Sequence, residues 1–214
     1  MKKISVAVVG ASGYTGMEAV RILCRHQKVE MKCAISKNYV GRSLSALMGP
    51  DAPRTKYSAI DAPEIDDCEV IFSCLPHCGS MSRIKDWRAK GKVVIDLSAD
   101  FRLKDPKVYE KWYSTAHSAP ELLKDAVYGL PELDRDAIRN ADLIACPGCY
   151  PTAAILGLLP ALETGWIKND VIINAVSGVS GAGKSAKVEH SYYELNENLF
   201  AYAAAVPAGW GRRT

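Results

Sequence analysis

Hydrophobic residues in this chain fall in short blocks whose spacing alternates between strand-like and helical. Residues 4–9 are apolar but for one serine, rich in β-branched side chains, and stop at Gly10, which predicts a strand buried on both faces. Residues 15–25 place Met17, Val20, Ile22 and Leu23 at helical intervals, and residues 29–35 predict a second strand. The three elements form a βαβ unit. Residues 70–74, 92–97 and 143–145 predict further strands, with a helix over 80–89 between the first two. Strands alternating with helices argue for a doubly wound parallel sheet, and such sheets bind ligands beyond the carboxyl ends of their strands. Gly10, Pro76, Ser98 and Cys149 each fall just after a predicted strand, so they are candidates to line one cleft. After Cys149 the pattern changes. Residues 151–162 predict a helix with Pro151 early in its first turn, residues 170–176 a strand, and residues 177–183 a glycine-rich turn. Residues 190–199 fit neither period, and residues 203–214 are dominated by small residues.

The composition, 48% hydrophobic and 24% charged, is that of an ordinary soluble globular protein. A net charge of +3 with no Lys/Arg block gives no reason to expect nucleic acid or a membrane surface as a partner. No apolar run is long enough to span a bilayer, and the apolar start runs into Gly10 too soon for a signal peptide. Seven cysteines, an odd number in a chain of this size, point to free thiols in a reducing, cytoplasmic compartment. Cys74 and Cys78 flank His77, but no second ligand pair stands at zinc-like spacing, so no metal is expected.

Two segments carry chemistry. The first is Gly10-Ala-Ser-Gly-Tyr-Thr-Gly16, which follows a predicted strand and opens a predicted helix. Glycines let the backbone turn tightly against a pyrophosphate, and the helix start offers free N–H groups. Gly10, Ser12, Gly13, Tyr14, Thr15 and Gly16 are therefore candidate cofactor-binding residues; the bland alternative is a tight strand–helix turn. An NAD site carries an acidic residue at the end of the second strand. Here that strand ends at Ser36 and Lys37, a hydroxyl and a cation suited to a 2′-phosphate, so the expected cofactor is NADP. The alternative for Lys37 is a merely solvated lysine. The second segment is Cys146-Pro-Gly-Cys149, at the start of a predicted helix, where the macrodipole and free amides favour a thiolate nucleophile at Cys149. Cys146 and Cys149 also form a C-x-x-C, the pattern of a dithiol redox pair, although it comes late, after a complete nucleotide-binding half.

Five ordered motifs bring these pieces together: Gly10-Ala-Ser-Gly-Tyr-Thr-Gly16, Asp96-Leu-Ser-Ala-Asp-Phe-Arg102, Tyr128-Gly-Leu-Pro-Glu132, Pro147-Gly-Cys-Tyr-Pro-Thr152 and Ser177-Gly-Val-Ser-Gly-Ala-Gly183. Over residues 4–202 the chain closely resembles the N-acetyl-gamma-glutamyl-phosphate reductases of arginine biosynthesis; aspartate-semialdehyde dehydrogenases are relatives of similar architecture. The resemblance implies a Rossmann-type NADP-binding domain over residues 1–148, followed over residues 149–214 by the start of an α+β catalytic and dimerisation domain. It implies a small acyl-phosphate substrate. Thiolate Cys149 attacks the carbonyl, phosphate leaves, and the thioester accepts hydride from NADPH to give the semialdehyde. It further implies that Arg102 holds the substrate's phosphate or carboxylate, that Ser180 and Gly181 approach the nicotinamide, that His77 lies near the cofactor, and that the full-length protein is a homodimer or tetramer. The alternatives are an ordinary surface arginine, a plain glycine turn and a structural histidine.

The resemblance stops near residue 202. Members of that family are longer and continue with a His-Arg-His segment that supplies a general acid–base histidine. Here residues 205–214 read Ala-Val-Pro-Ala-Gly-Trp-Gly-Arg-Arg-Thr, and no histidine follows His190. The expectation is a chain truncated or frameshifted at its C-terminus, with apolar surface left uncovered in the second domain. Two functions therefore stand beside each other: the family's reductase activity, and an inactive fragment that still binds NADP.

Overall fold

The computed structural model describes residues 2–168, 170–185 and 187–200. The chain divides into two compact units, the first running from Met1 to Pro147 and the second beginning at Gly148.

The first unit is a seven-stranded sheet in the order β3-β2-β1-β4-β5-β7-β6. The strands are β1 (Ile4–Val9), β2 (Val29–Ile35), β3 (Tyr57–Ser58), β4 (Val70–Ser73), β5 (Val93–Asp96), β6 (Val127–Tyr128) and β7 (Leu143–Ala145). Every pairing is parallel. The helices are α1 (Tyr14–Arg25), the single turn α2 (Ser45–Met48), α3 (Met81–Ala89), α4 (Pro106–Tyr113) and α5 (Pro131–Arg139). β1 shows why the sheet is covered on both faces. Ala7 and Val9 enter one core with Ile35, Ile71, Ile84, Trp87 and Phe101. Val6 and Val8 enter the other, with Val20, Leu23, Leu44 and Tyr57. A strand buried on both faces reads as the near-continuous apolar run seen in the sequence. α1 buries Met17, Val20 and Leu23 but leaves Ile22 on the solvent side. α3 buries Met81, Ile84 and Trp87 at three-residue spacing.

The predicted strands and the two predicted helices of this unit are present. β3 and β6, with two residues each at the sheet's edges, carry too little pattern to be predicted.

The second unit opens with α6 (Cys149–Glu163), followed by short 3₁₀ turns at Val179–Ala182 and Val188–His190 and by the single turn α7 (Tyr192–Leu195). α6 is apolar almost all round, yet none of its side chains is buried. The strand predicted over residues 170–176 is not formed. A strand needs a neighbour to satisfy its backbone N–H and C=O groups, and no described segment of this unit supplies one. Its side chains remain exposed, Ile172 to 90% and Val176 to 71%, as does Tyr193 of α7 to 94%. The 205–214 segment, where the family resemblance ends, lies outside the described residues.

Candidate functional site

The glycine loop sits at the carboxyl edge of the sheet in the first unit. β1 ends at Val9, and Gly10 turns with φ +83°. Its N–H and that of Ala11 both donate to the Ile35 carbonyl, at 3.1 and 2.9 Å, which binds the loop to the end of β2. A Cβ at position 10 would lie 2.5 Å from the Cys74 carbonyl oxygen, and one at Gly16 would lie 2.2 Å from the Gly10 oxygen. Both positions therefore require glycine. At Gly13 the nearest atom to such a Cβ is 3.5 Å away, an ordinary contact. Gly13 caps α1 in an extended conformation, without a side-chain cap and without an acidic residue in the first turn. The uncapped N–H groups and the absence of Cβ atoms form a cradle that fits a dinucleotide pyrophosphate.

Ser36 and Lys37 follow β2. Ser36 is buried, and its hydroxyl donates to Ser12 Oγ at 2.8 Å, so the end of β2 is fastened to the glycine loop. Lys37 is exposed. The six loop residues, Ser36 and Lys37 are thus gathered at one edge.

Beyond β4 and β5 lies a buried polar network: Ser98 and the Asp96–Arg102 motif stand out in the sequence, but the bonds that Asp96 and Asp100 make do not. Asp96, at the end of β5, is fully buried and accepts from the Ser98 N–H (3.2 Å) and Ser98 Oγ (2.6 Å). Burial pushes its carboxyl up to about 6; the Ser98 bonds pull the other way, and the Asp100 charge pushes with burial. Asp100, also fully buried, accepts from Cys78 N–H (2.8 Å) and Tyr109 O–H (2.7 Å) on Oδ1, and from Ser80 Oγ (2.6 Å) and Ser80 N–H (3.3 Å) on Oδ2. The available signal was the spacing of Asp96, Ser98 and Asp100, polar residues at every second position after an apolar strand.

Arg102 reaches across two strand ends. Its Nε donates to the Cys146 carbonyl after β7 at 2.7 Å, and one Nη donates to the Leu97 carbonyl after β5 at 3.1 Å. His77 is exposed, and its ring lies 5.8 Å from that of Tyr113.

Cys149, Ser180 and Gly181 belong to the second unit. Gly148 caps α6 in an extended conformation, Cys149 is its first residue, and the thiol is exposed. Thr152 fixes this first turn by donating both N–H and Oγ1 to the Gly148 carbonyl, at 3.0 and 2.9 Å. Tyr150 O–H donates to Ser177 Oγ at 2.9 Å, which joins the start of α6 to the glycine-rich segment carrying Ser180 and Gly181. Cys146, in the first unit, is partly buried, and burial pushes its thiol up to about 11. Among the described residues no cluster of His, Cys, Asp and Glu is arranged to hold a metal, and no helix is long and apolar enough to cross a membrane.

Residues 5–141 match the profile of the semialdehyde dehydrogenase NAD binding domain, and residues 149–206 match that of the semialdehyde dehydrogenase dimerisation domain. The chain is 46% identical to the N-acetyl-gamma-glutamyl-phosphate reductase of Desulforudis audaxviator, across 95% of this chain and 60% of that protein. It is 48% identical to the protein of the same name from Methanopyrus kandleri, across 93% of this chain and 59% of that protein. The chain thus spans about 60% of the length of these relatives. Among solved structures, aspartate semialdehyde dehydrogenase II of Vibrio cholerae shares the fold at 18% identity, with a TM-score of 0.56 over 76% of this chain and 47% of the other. The aspartate semialdehyde dehydrogenase of Candida albicans, solved with NADP, does so at 15% identity and a TM-score of 0.55, over 76% of this chain and 48% of the other.

Proposed function

We propose that this chain, which belongs to the semialdehyde dehydrogenase family, carries the nucleotide-binding and thiol-bearing parts of an NADPH-dependent reductase that converts N-acetylglutamyl 5-phosphate to the 5-semialdehyde in arginine biosynthesis. One observation carries the reading. Identity of 43–48% to proteins named for that reaction spans 93–95% of the chain, which takes in both the glycine loop and the Cys149 segment.

In this reading Gly10, Ser12, Gly13, Tyr14, Thr15 and Gly16 hold the cofactor's pyrophosphate. Ser36 and Lys37 face the adenosine ribose, and a cation with no carboxylate beside it favours the 2′-phosphate of NADP over NAD. Ser180 and Gly181 serve the nicotinamide side. The Cys149 sulfur attacks the acyl carbon and forms a C–S bond as the C–O bond to phosphate breaks, leaving a thioester and inorganic phosphate. Bound NADPH supplies the hydride that reduces the acyl group to the aldehyde and releases the thiolate. Arg102 offers its remaining guanidinium donors to the substrate's anionic group. Free thiols and a biosynthetic cofactor support a cytoplasmic location, and the dimerisation-domain match supports a homodimer or tetramer for the full-length protein.

A second reading is favoured by the uncovered apolar side chains of the second unit: the 214-residue chain binds NADP(H) without turnover. The reverse reaction separates the two. The chain is incubated with the semialdehyde, phosphate and NADP⁺, and NADPH is read at its absorbance band. Turnover that is lost in Cys149→Ser and kept in Cys146→Ser supports the reductase. NADP(H) binding without turnover supports the fragment. Turnover lost equally in both variants would point to a dithiol pair and refute the assignment of Cys149 as sole nucleophile.

A further inference from the structure

The segment between β4 and α3, residues 74–80, is held by Asp100 more tightly than a surface loop requires. Cys78 adopts a left-handed conformation, φ +63°, which is strained for a non-glycine residue. The strain is offset by hydrogen bonds, since Asp100 accepts the Cys78 N–H on one carboxylate oxygen and the Ser80 N–H and hydroxyl on the other. Asp100 is itself held. Tyr109 O–H, buried in α4, donates to its Oδ1. The His117 ring takes the Ala119 N–H on Nδ1 at 3.1 Å and bonds the Asp100 carbonyl through Nε2 at 2.9 Å. Rings continue the brace outward: Tyr109 stacks on Tyr113 at 4.7 Å, and Tyr113 meets His77 of the loop at 5.8 Å.

The loop's position gives this brace a purpose. Its first residue, Cys74, donates its N–H to the Val9 carbonyl at 2.7 Å, and its own carbonyl oxygen occupies the space where a Cβ on Gly10 would go. The loop therefore abuts the glycine cradle on the β4 side of β1, opposite β2. In a doubly wound sheet the end of β2 meets the adenosine ribose, so the β4 side faces the other end of the dinucleotide.

The geometry points to Asp100, with Tyr109 behind it, as a positioning residue that sets the 74–80 loop as the wall of the nicotinamide half of the cofactor site. This inference rests on the nucleotide-binding reading above. It yields a particular consequence for Asp100→Asn. Each carboxylate oxygen accepts a backbone N–H, and backbone donors cannot reverse, so an amide loses one of the two bonds whichever way it turns.

The test compares two ligands on the 214-residue chain, with folding checked by circular dichroism. NADPH contacts both halves of the site, whereas 2′,5′-ADP occupies only the adenosine half. Asp100→Asn is expected to weaken NADPH roughly tenfold, the scale of losing one hydrogen bond to a charged group, and to leave 2′,5′-ADP within about twofold. Tyr109→Phe, which removes one donor to Asp100 and the weak 3.6 Å contact with the Cys78 thiol but keeps both backbone N–H bonds to the carboxylate, is expected to weaken NADPH by about threefold with the same selectivity. It carries the test under the same criteria if the Asn variant does not fold. Parallel weakening of both ligands, or no weakening of NADPH, would overturn the inference. Failure of the parent chain to bind 2′,5′-ADP would instead refute the nucleotide reading, and this inference with it.

Discussion

Asp96 offers the sharpest quantitative test of the first unit. It is the last residue of β5, fully buried, and its carboxyl is pushed up to about 6 from an ordinary 3.8, chiefly by burial. A carboxyl raised in the folded state favours the protonated native form. Its contribution to stability is fully present below pH 3.8, declines as pH rises, and is lost above about 6. The interval corresponds to about 3 kcal/mol in total, of which about 2 kcal/mol falls between pH 4.5 and 7.5. Asp96→Asn keeps the shape and can still bond Ser98, because the Ser98 hydroxyl can turn to accept from the amide. The variant cannot ionise, so it escapes the decline.

The assay is urea unfolding of both proteins at a series of pH values. Exposed carboxylates such as Asp66 and Glu121, which their lysine partners hold below the usual range, are common to both proteins and cancel in the difference. Relative to the parent, the variant should gain about 2 kcal/mol from pH 4.5 to 7.5, seen near neutral pH as a thermal midpoint higher by roughly 4–8 °C. A difference independent of pH, or one that shrinks as pH rises, would show that burial does not dominate at Asp96.

Three further outcomes are expected. Gly16→Ala sets a Cβ against a backbone oxygen, so it should cost about 2 kcal/mol or more and abolish NADPH binding, whereas Gly13→Ala should change stability by less than about 1 kcal/mol; equal thermal midpoints for the two would contradict the cradle geometry. Lys37→Ala should weaken NADPH roughly tenfold and NADH hardly at all in fluorescence titrations, and equal losses would remove the case for a 2′-phosphate site. Iodoacetamide at pH 8 should modify exposed Cys78 and Cys149 well before Cys74 and Cys146, whose thiols burial pushes up to about 12 and about 11, and peptide mapping that finds Cys146 labelled first would contradict this.

The sequence was most legible where one element dictates its own pattern. β1 is buried on both faces and reads as an apolar run broken only by Ser5, and α1 and α3 show their buried stripes. The glycine loop was legible for a related reason, since Gly10 and Gly16 stand where nothing larger fits. Periodicity failed for residues 170–176, which have the composition of a strand but no neighbour to bond. It also missed β3 and β6, which exist because β2 and β7 offer them an edge. The Asp100 network was hidden because its donors come from residues 78, 80 and 109, which nothing along the chain connects.

The sequence by itself therefore determined the longer elements of the first unit (β1, α1, β2, β4, α3 and β5), their alternation, the glycine cradle and the place of Cys149 at the start of α6. These follow from local conformational preference and from burial periodicity, which act over a few residues. Tertiary structure decided which polar groups lost water together. Asp96 and Asp100 are ordinary carboxylates along the chain. Packing β4, β5 and α4 around them raises one and makes the other the anchor of a strained loop, because the cost of burying charge depends on which donors the fold brings within reach.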